Sequence, residues 1–72
     1  MYTIKVGMKL ENGKTATYTH AILWDKLYRI QQTAEFKEIK ADLYRAILSD
    51  NHEVLQEIGK DLDALDMFYN HM

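Results

Sequence analysis

The side chains that begin most covalent catalysis are scarce in this chain of 72 residues, which has no cysteine and a single serine, Ser49. Ser49 stands in Leu48-Ser49-Asp50-Asn51, and short polar side chains in such a run are expected to bond helix ends. Neither a glycine-rich phosphate loop nor a nucleophile elbow is present. The sequence therefore predicts no enzyme and no catalytic residue.

Metal chemistry has slightly more material. Asp61, Asp63 and Asp66 lie close together, but on a helix Asp61 points away from the other two. Asp63, Met67 and His71 align at four-residue spacing, yet a thioether is a poor ligand for the hard cations a carboxylate favours. His20, His52 and His71 are scattered, so a solvated acidic helix face is the expected outcome, with no metal and no cofactor.

Two surfaces invite a macromolecular partner. Lys5, Lys9, Lys14 and Tyr18, with His20, are expected on one side of an N-terminal ribbon, where basic and aromatic residues can follow phosphates and stack on bases. Three lysines are few, exposed strands carry Lys for other reasons, and the pI of 5.8 lacks a basic footprint. The acidic third helix, with Glu53, Glu57, Asp61, Asp63 and Asp66, is too sparsely charged to imitate a duplex well.

Aromatic residues give the stronger expectation. Trp24 and Tyr28 lie off the apolar stripe of the first helix, and Tyr44 lies off that of the second. Either those rings pack against a second neighbour inside the domain, or they anchor an interface of the kind rich in Trp and Tyr. The leading expectation is a non-catalytic protein–protein interaction module with Trp24, Tyr28 and Tyr44 as anchors and Asp63 and Asp66 supplying charge. Its size and style suggest a phage or mobile-element accessory protein that inhibits a host or defence complex by occupying its surface. The alternatives are a small nucleic-acid-binding regulator using Lys5, Lys9, Lys14 and Tyr18, and a structural subunit of a larger assembly.

The elements that must position these residues are read from periodicity. Tyr2, Ile4, Val6, Met8 and Leu10 alternate with Thr3, Lys5, Gly7 and Lys9, the pattern of a strand with one buried face. Asn12-Gly13 predicts a two-residue type I′ turn. That register sets Leu10 opposite Thr15, Met8 opposite Thr17 and Val6 opposite Thr19 on the core side. Tyr18 then covers Gly7 on the outer side.

Beyond His20 the period becomes helical. Leu23, Leu27, Ile30 and Ala34 share one face, whereas Phe36, Ile39, Leu43 and Ile47 would lie nearly opposite on a continuous helix, which places a break at Gln31-Gln32-Thr33. Thr33 is expected to cap the second helix. Asp50 and Glu53 are expected to form a capping box for the third, whose stripe is Val54, Leu55, Ile58, Leu62, Leu65 and Tyr69, with Gly59 on the polar side.

The predicted fold is thus α+β, a two-stranded antiparallel β-hairpin followed by three amphipathic helices (ββααα), forming one domain over residues 1–72. Open strand edges on so small a sheet predict a homodimer joined edge to edge. The net charge of −2 divides into +3 over residues 1–45 and −5 over residues 46–72, a polarity that can guide a charged partner or align two copies head to tail. No apolar run reaches the roughly 20 residues that span a bilayer, and the absence of cysteine fits a reducing cytoplasm.

Overall fold

The computed structural model describes residues 4–70. Three helices, α1 (Tyr18–Tyr28), α2 (Phe36–Ser49) and α3 (His52–Asn70), follow an N-terminal arm, and each pair of helices is in contact. The described residues contain no strand and no sheet, so the fold is all-α and the expected β-hairpin is absent.

The departure begins at Gly7. Its φ of +85° and the bond from the Met8 amide to the Lys5 carbonyl, 3.1 Å, turn the chain where the alternating pattern called for extension. A second deviation lies at Asn12-Gly13. Gly13 has a φ of +83° but Asn12 does not share a positive φ, which excludes the type I′ turn. The Gly13 amide instead donates to the Leu10 carbonyl at 3.0 Å, and the Leu10 amide to the Lys14 carbonyl at 2.8 Å. The loop therefore holds three residues instead of two.

That extra residue shifts the pairing by one position. A single antiparallel bridge, Lys9 with Thr15, replaces the expected ladder. A one-residue slip exchanges the faces, so Ala16 is buried while Thr15, Thr17 and Thr19 are exposed. Ile4 and Leu10 still enter the core, with Met8 packed against it, but Val6 is 59% exposed. The homodimer expected from open strand edges loses its basis, because no strand edge exists among the described residues.

Thr17, expected in a strand, is the N-cap of α1. Its hydroxyl accepts from the His20 amide and its own amide donates to His20 Nδ1, both at 3.2 Å, a reciprocal capping box with His in the place usually held by Glu or Gln. Tyr18 consequently opens α1 and is 70% exposed, far from any role in covering Gly7.

The break between the first two helices is where the reversal of apolar faces placed it. After Tyr28 the backbone tightens into successive i to i−3 bonds, including Ile30 to Leu27 and Thr33 to Ile30. Thr33 does not cap α2; its hydroxyl donates back to the Ile30 carbonyl at 2.7 Å, and Glu35 is the N-cap without a side-chain bond.

The second junction is also displaced by one residue. Asp50 adopts the left-handed conformation, φ 54° and ψ 40°, and terminates α2. The Asn51 amide then bonds the Ala46 carbonyl, a six-to-one closure of the Schellman kind. With Asp50 so occupied, Asn51 takes over the capping of α3, its Oδ1 accepting from the Val54 amide at 3.3 Å. The expected Asp50–Glu53 box is not formed.

The core joins Leu23, Trp24, Leu27 and Ile30 to Leu43, Ala46 and Ile47 of α2 and to Leu55, Ile58 and Leu62 of α3. Gly59 was expected on the polar side; in the structure it lies under α1, and a Cβ there would stand 3.1 Å from Leu23 Cδ2. The missing side chain thus lets α1 and α3 approach closely. No helix among the described residues is long and apolar enough to cross a membrane.

Candidate functional site

Trp24, one of the expected anchors, is 1% exposed. Three neighbours account for this: Tyr28 at 6.0 Å between ring centroids, Tyr44 at 6.2 Å in an edge contact, and the core cluster beneath. Tyr28 continues the chain of rings to Phe36 at 5.2 Å, and Lys40 Nζ lies 5.9 Å from the Tyr28 centroid and 5.6 Å from that of Phe36. Tilted and edge contacts of this kind let the positive ring edges meet the negative faces, and the ammonium adds a cation–π attraction. Trp24, Tyr28 and Tyr44 therefore act together as the mortar between α1 and α2.

Their assembly leaves a groove of about 550 Å³, open rather than enclosed, lined by Trp24, Phe36, Ala41 and Tyr44 with Lys37, Lys40 and Glu11. The spacing of Phe36, Lys37, Lys40, Ala41 and Tyr44 places all five on one side of α2. Glu11 comes from the three-residue loop of the arm. That loop is held by Asn12, whose Nδ2 donates to the Leu48 carbonyl at 2.7 Å while its Oδ1 accepts from the Lys14 amide at 3.0 Å. Neither Lys37 nor Lys40 makes an ion pair with a described residue. No signal short of the arm's turn geometry could have brought Glu11 to this groove, and sequence reasoning missed Phe36, Lys37, Lys40 and Ala41.

The expected acidic contributors serve inside the chain. Lys26 Nζ approaches Asp63 at 3.0 and 3.3 Å, and Arg29 Nη1 lies 3.8 Å from Asp66, so both carboxylates tie α3 to α1. Asp66 also accepts from Asn70 Nδ2 at 2.7 Å. Among the described residues no group of three or more His, Asp or Glu is arranged to hold a metal ion; His71 lies outside them.

The basic set is dispersed. Lys5 and Lys9 are exposed on the arm, Lys14 pairs with Asp50 at 3.8 Å, and Tyr18 belongs to α1. The ribbon that was to align them for nucleic acid is not formed.

Among the described residues His20 is the one buried polar side chain. Burial lowers its pKa from the ordinary 6.5, and the proximity of His52 acts the same way, while Asp50 opposes them. An unprotonated Nδ1 is also what the Thr17 amide requires as acceptor.

At the far end of α3 the side chains are displayed. Met67 is 67% exposed and Phe68 61%, whereas Tyr69 turns back to donate its hydroxyl to Glu35 at 3.0 Å, which raises its pKa. Asn70 Nδ2 also reaches the Arg29 carbonyl at 3.0 Å, so the last turn is fastened to the connection between α1 and α2. The chain matches no protein-family model, no curated protein and no solved structure.

Proposed function

We propose that this chain is a non-catalytic protein-binding module that receives an apolar partner segment flanked by carboxylates in the groove between α1 and α2. The observation that supports the reading best is an aromatic floor beside two lysines, Lys37 and Lys40, that form no ion pair with a described carboxylate. An apolar side chain laid on Phe36 and Tyr44, which are half-buried beside the buried Trp24, releases water from those two rings. Partner carboxylates beside it meet the ammonium groups in charge-assisted hydrogen bonds. Glu11 repels a carboxylate at its own end of the groove, which sets the direction in which the segment lies.

The anchors in this reading act as a fixed floor rather than as side chains that insert into the partner. Such preorganisation lowers the ordering cost of association. Titration of the labelled protein with a synthetic peptide carrying Phe and Leu followed by Asp residues is expected to shift the amide resonances of Lys37, Lys40, Ala41 and Tyr44. Ala41→Arg, at an exposed helical position, is expected to abolish those shifts. Shifts confined to other surfaces, or none at all, would overturn the reading.

A further inference from the structure

The groove is half of a complementary pair, and the other half is on the same chain. On α3 the residues Val54, Glu57, Asp61, Ala64 and Phe68 recur at alternating three- and four-residue steps, which aligns them in one stripe. All five are exposed, and Met67 widens the stripe at its aromatic end. Glu57 and Asp61 make no ion pair with a described residue. The stripe therefore offers one aromatic ring and two carboxylates without an ion pair among the described residues, the chemistry that the aromatic floor and the Lys37–Lys40 rim accept.

We infer that the occupant of the groove is the outer stripe of α3 from a second copy of this chain. This rests on the groove being a binding site, as proposed above, and names its partner. A copy does not fill its own groove: α3 contributes no residue to the lining, and although Val54 and Glu57 border Asp42, Arg45 and Ser49 of α2, Asp61, Ala64 and Phe68 are exposed beyond them. The contact is consequently heterologous, groove to stripe, and propagates from copy to copy instead of closing on itself as edge pairing across a two-fold axis would.

Two features favour the stripe as a ligand. The last turns of α3 present Met67 and Phe68 to solvent, 67% and 61% exposed. That end is also held rigid by the Tyr69–Glu35 and Asn70–Arg29 bonds, so little freedom remains to be lost when it enters a groove. Charge acts in the same sense, since the carboxylates of the stripe lie in the acidic half of the chain and Lys37 and Lys40 in the basic half.

A heterologous contact has a decisive test, because each half can be disabled separately. Ala41→Arg blocks the groove and leaves the stripe; the double variant Asp61→Lys with Phe68→Ser disables the stripe and leaves the groove. In sedimentation equilibrium from tens to hundreds of micromolar, the unaltered chain is expected to gain mass with concentration past the dimer. Each variant alone is expected to remain a monomer, with its apparent Kd raised at least about tenfold. Mixed in equal amounts, the two variants are expected to form a 1:1 dimer and nothing larger, since one supplies the only working groove and the other the only working stripe.

Circular dichroism keeps the result interpretable, as both variants alter exposed positions and are expected to retain their helix content and melting temperature. An unaltered chain that stays monomeric throughout, or a mixture that does not associate, would overturn the inference. If the chain is monomeric while the acidic aromatic peptide still titrates the groove, self-association alone is refuted. If the peptide fails as well, the groove is not a binding site.

Discussion

Two aromatic groups sit at opposite fates in this small protein. Trp24, Tyr28, Phe36 and Tyr44 are drawn together between α1 and α2, whereas Phe68 and Tyr69, edge-on with centroids 5.0 Å apart, are exposed at the end of α3. The residue types are alike, and both groups occur on helices. What differs is the face that carries them: α1, α2 and the arm meet around Trp24, but Phe68 lies on the outer stripe of α3, although Asn70 two residues on still bonds the Arg29 carbonyl. Burial of an aromatic ring is thus a property of the helix face it occupies and of the elements packed on that face.

The largest effect expected from breaking this contrast is on stability. Trp24→Ala removes a fully buried indole and is expected to cost about 3–5 kcal/mol in urea unfolding, whereas Phe68→Ser is expected to stay within about 0.5 kcal/mol of the unaltered chain. Equal losses at the two sites would show that the α3 end is part of the core.

A smaller effect concerns how the buried side is closed at the start of α1. The His20 pKa is lowered in the folded state, so between its folded value and the ordinary 6.5 the unfolded chain binds more protons and stability rises with pH. The stabilisation is complete above about 6.5 and is lost as pH falls through that value towards the folded pKa. Protonation at Nδ1 also withdraws the acceptor of the Thr17 amide. His20→Gln, which restores an ordinary capping box without a titrating group, is expected to flatten the dependence of thermal unfolding on pH between 7 and 5. An unchanged profile would assign the acid sensitivity to a group other than His20.

The smallest expected change is a gain. Asp50 holds a left-handed conformation that glycine adopts without steric cost, so Asp50→Gly is expected to raise the unfolding free energy by about 0.5–1 kcal/mol. The exposed Lys14–Asp50 pair lost with it offsets little of this. A net loss would mean that the Asp50 carboxylate holds the arm on α2 more firmly than its exposure suggests.

Much of the helical part was legible from periodicity. The break near Gln31-Gln32-Thr33 follows from the reversal of apolar faces, and Leu23, Leu27, Ile30, Leu43, Ile47, Leu55, Ile58 and Leu62 are buried as their spacing requires. Caps were less legible. Asp50 and Asn51 both suit the start of a helix, and only the need to end α2 in the left-handed region decides that Asn51 does so. The arm was misread for a related reason. Alternation from Ile4 to Leu10 resembles a strand, but Gly7 and Gly13 each turn the chain, and Thr17 is more useful to α1 as a cap than to a ladder that has no third strand.

By itself, then, the sequence determined three amphipathic helices, their approximate limits and most residues of their apolar stripes, because those depend mainly on local periodicity; Ala34, Val54 and Tyr69 are exposed instead. Tertiary structure alone decided the rest. It sent Trp24 inward, consumed Asp63 and Asp66 in ties to α1, and brought Glu11 beside Lys37 and Lys40. Each of these outcomes depends on which elements approach one another and how far each extends, and a single chain's local pattern carries no measure of either.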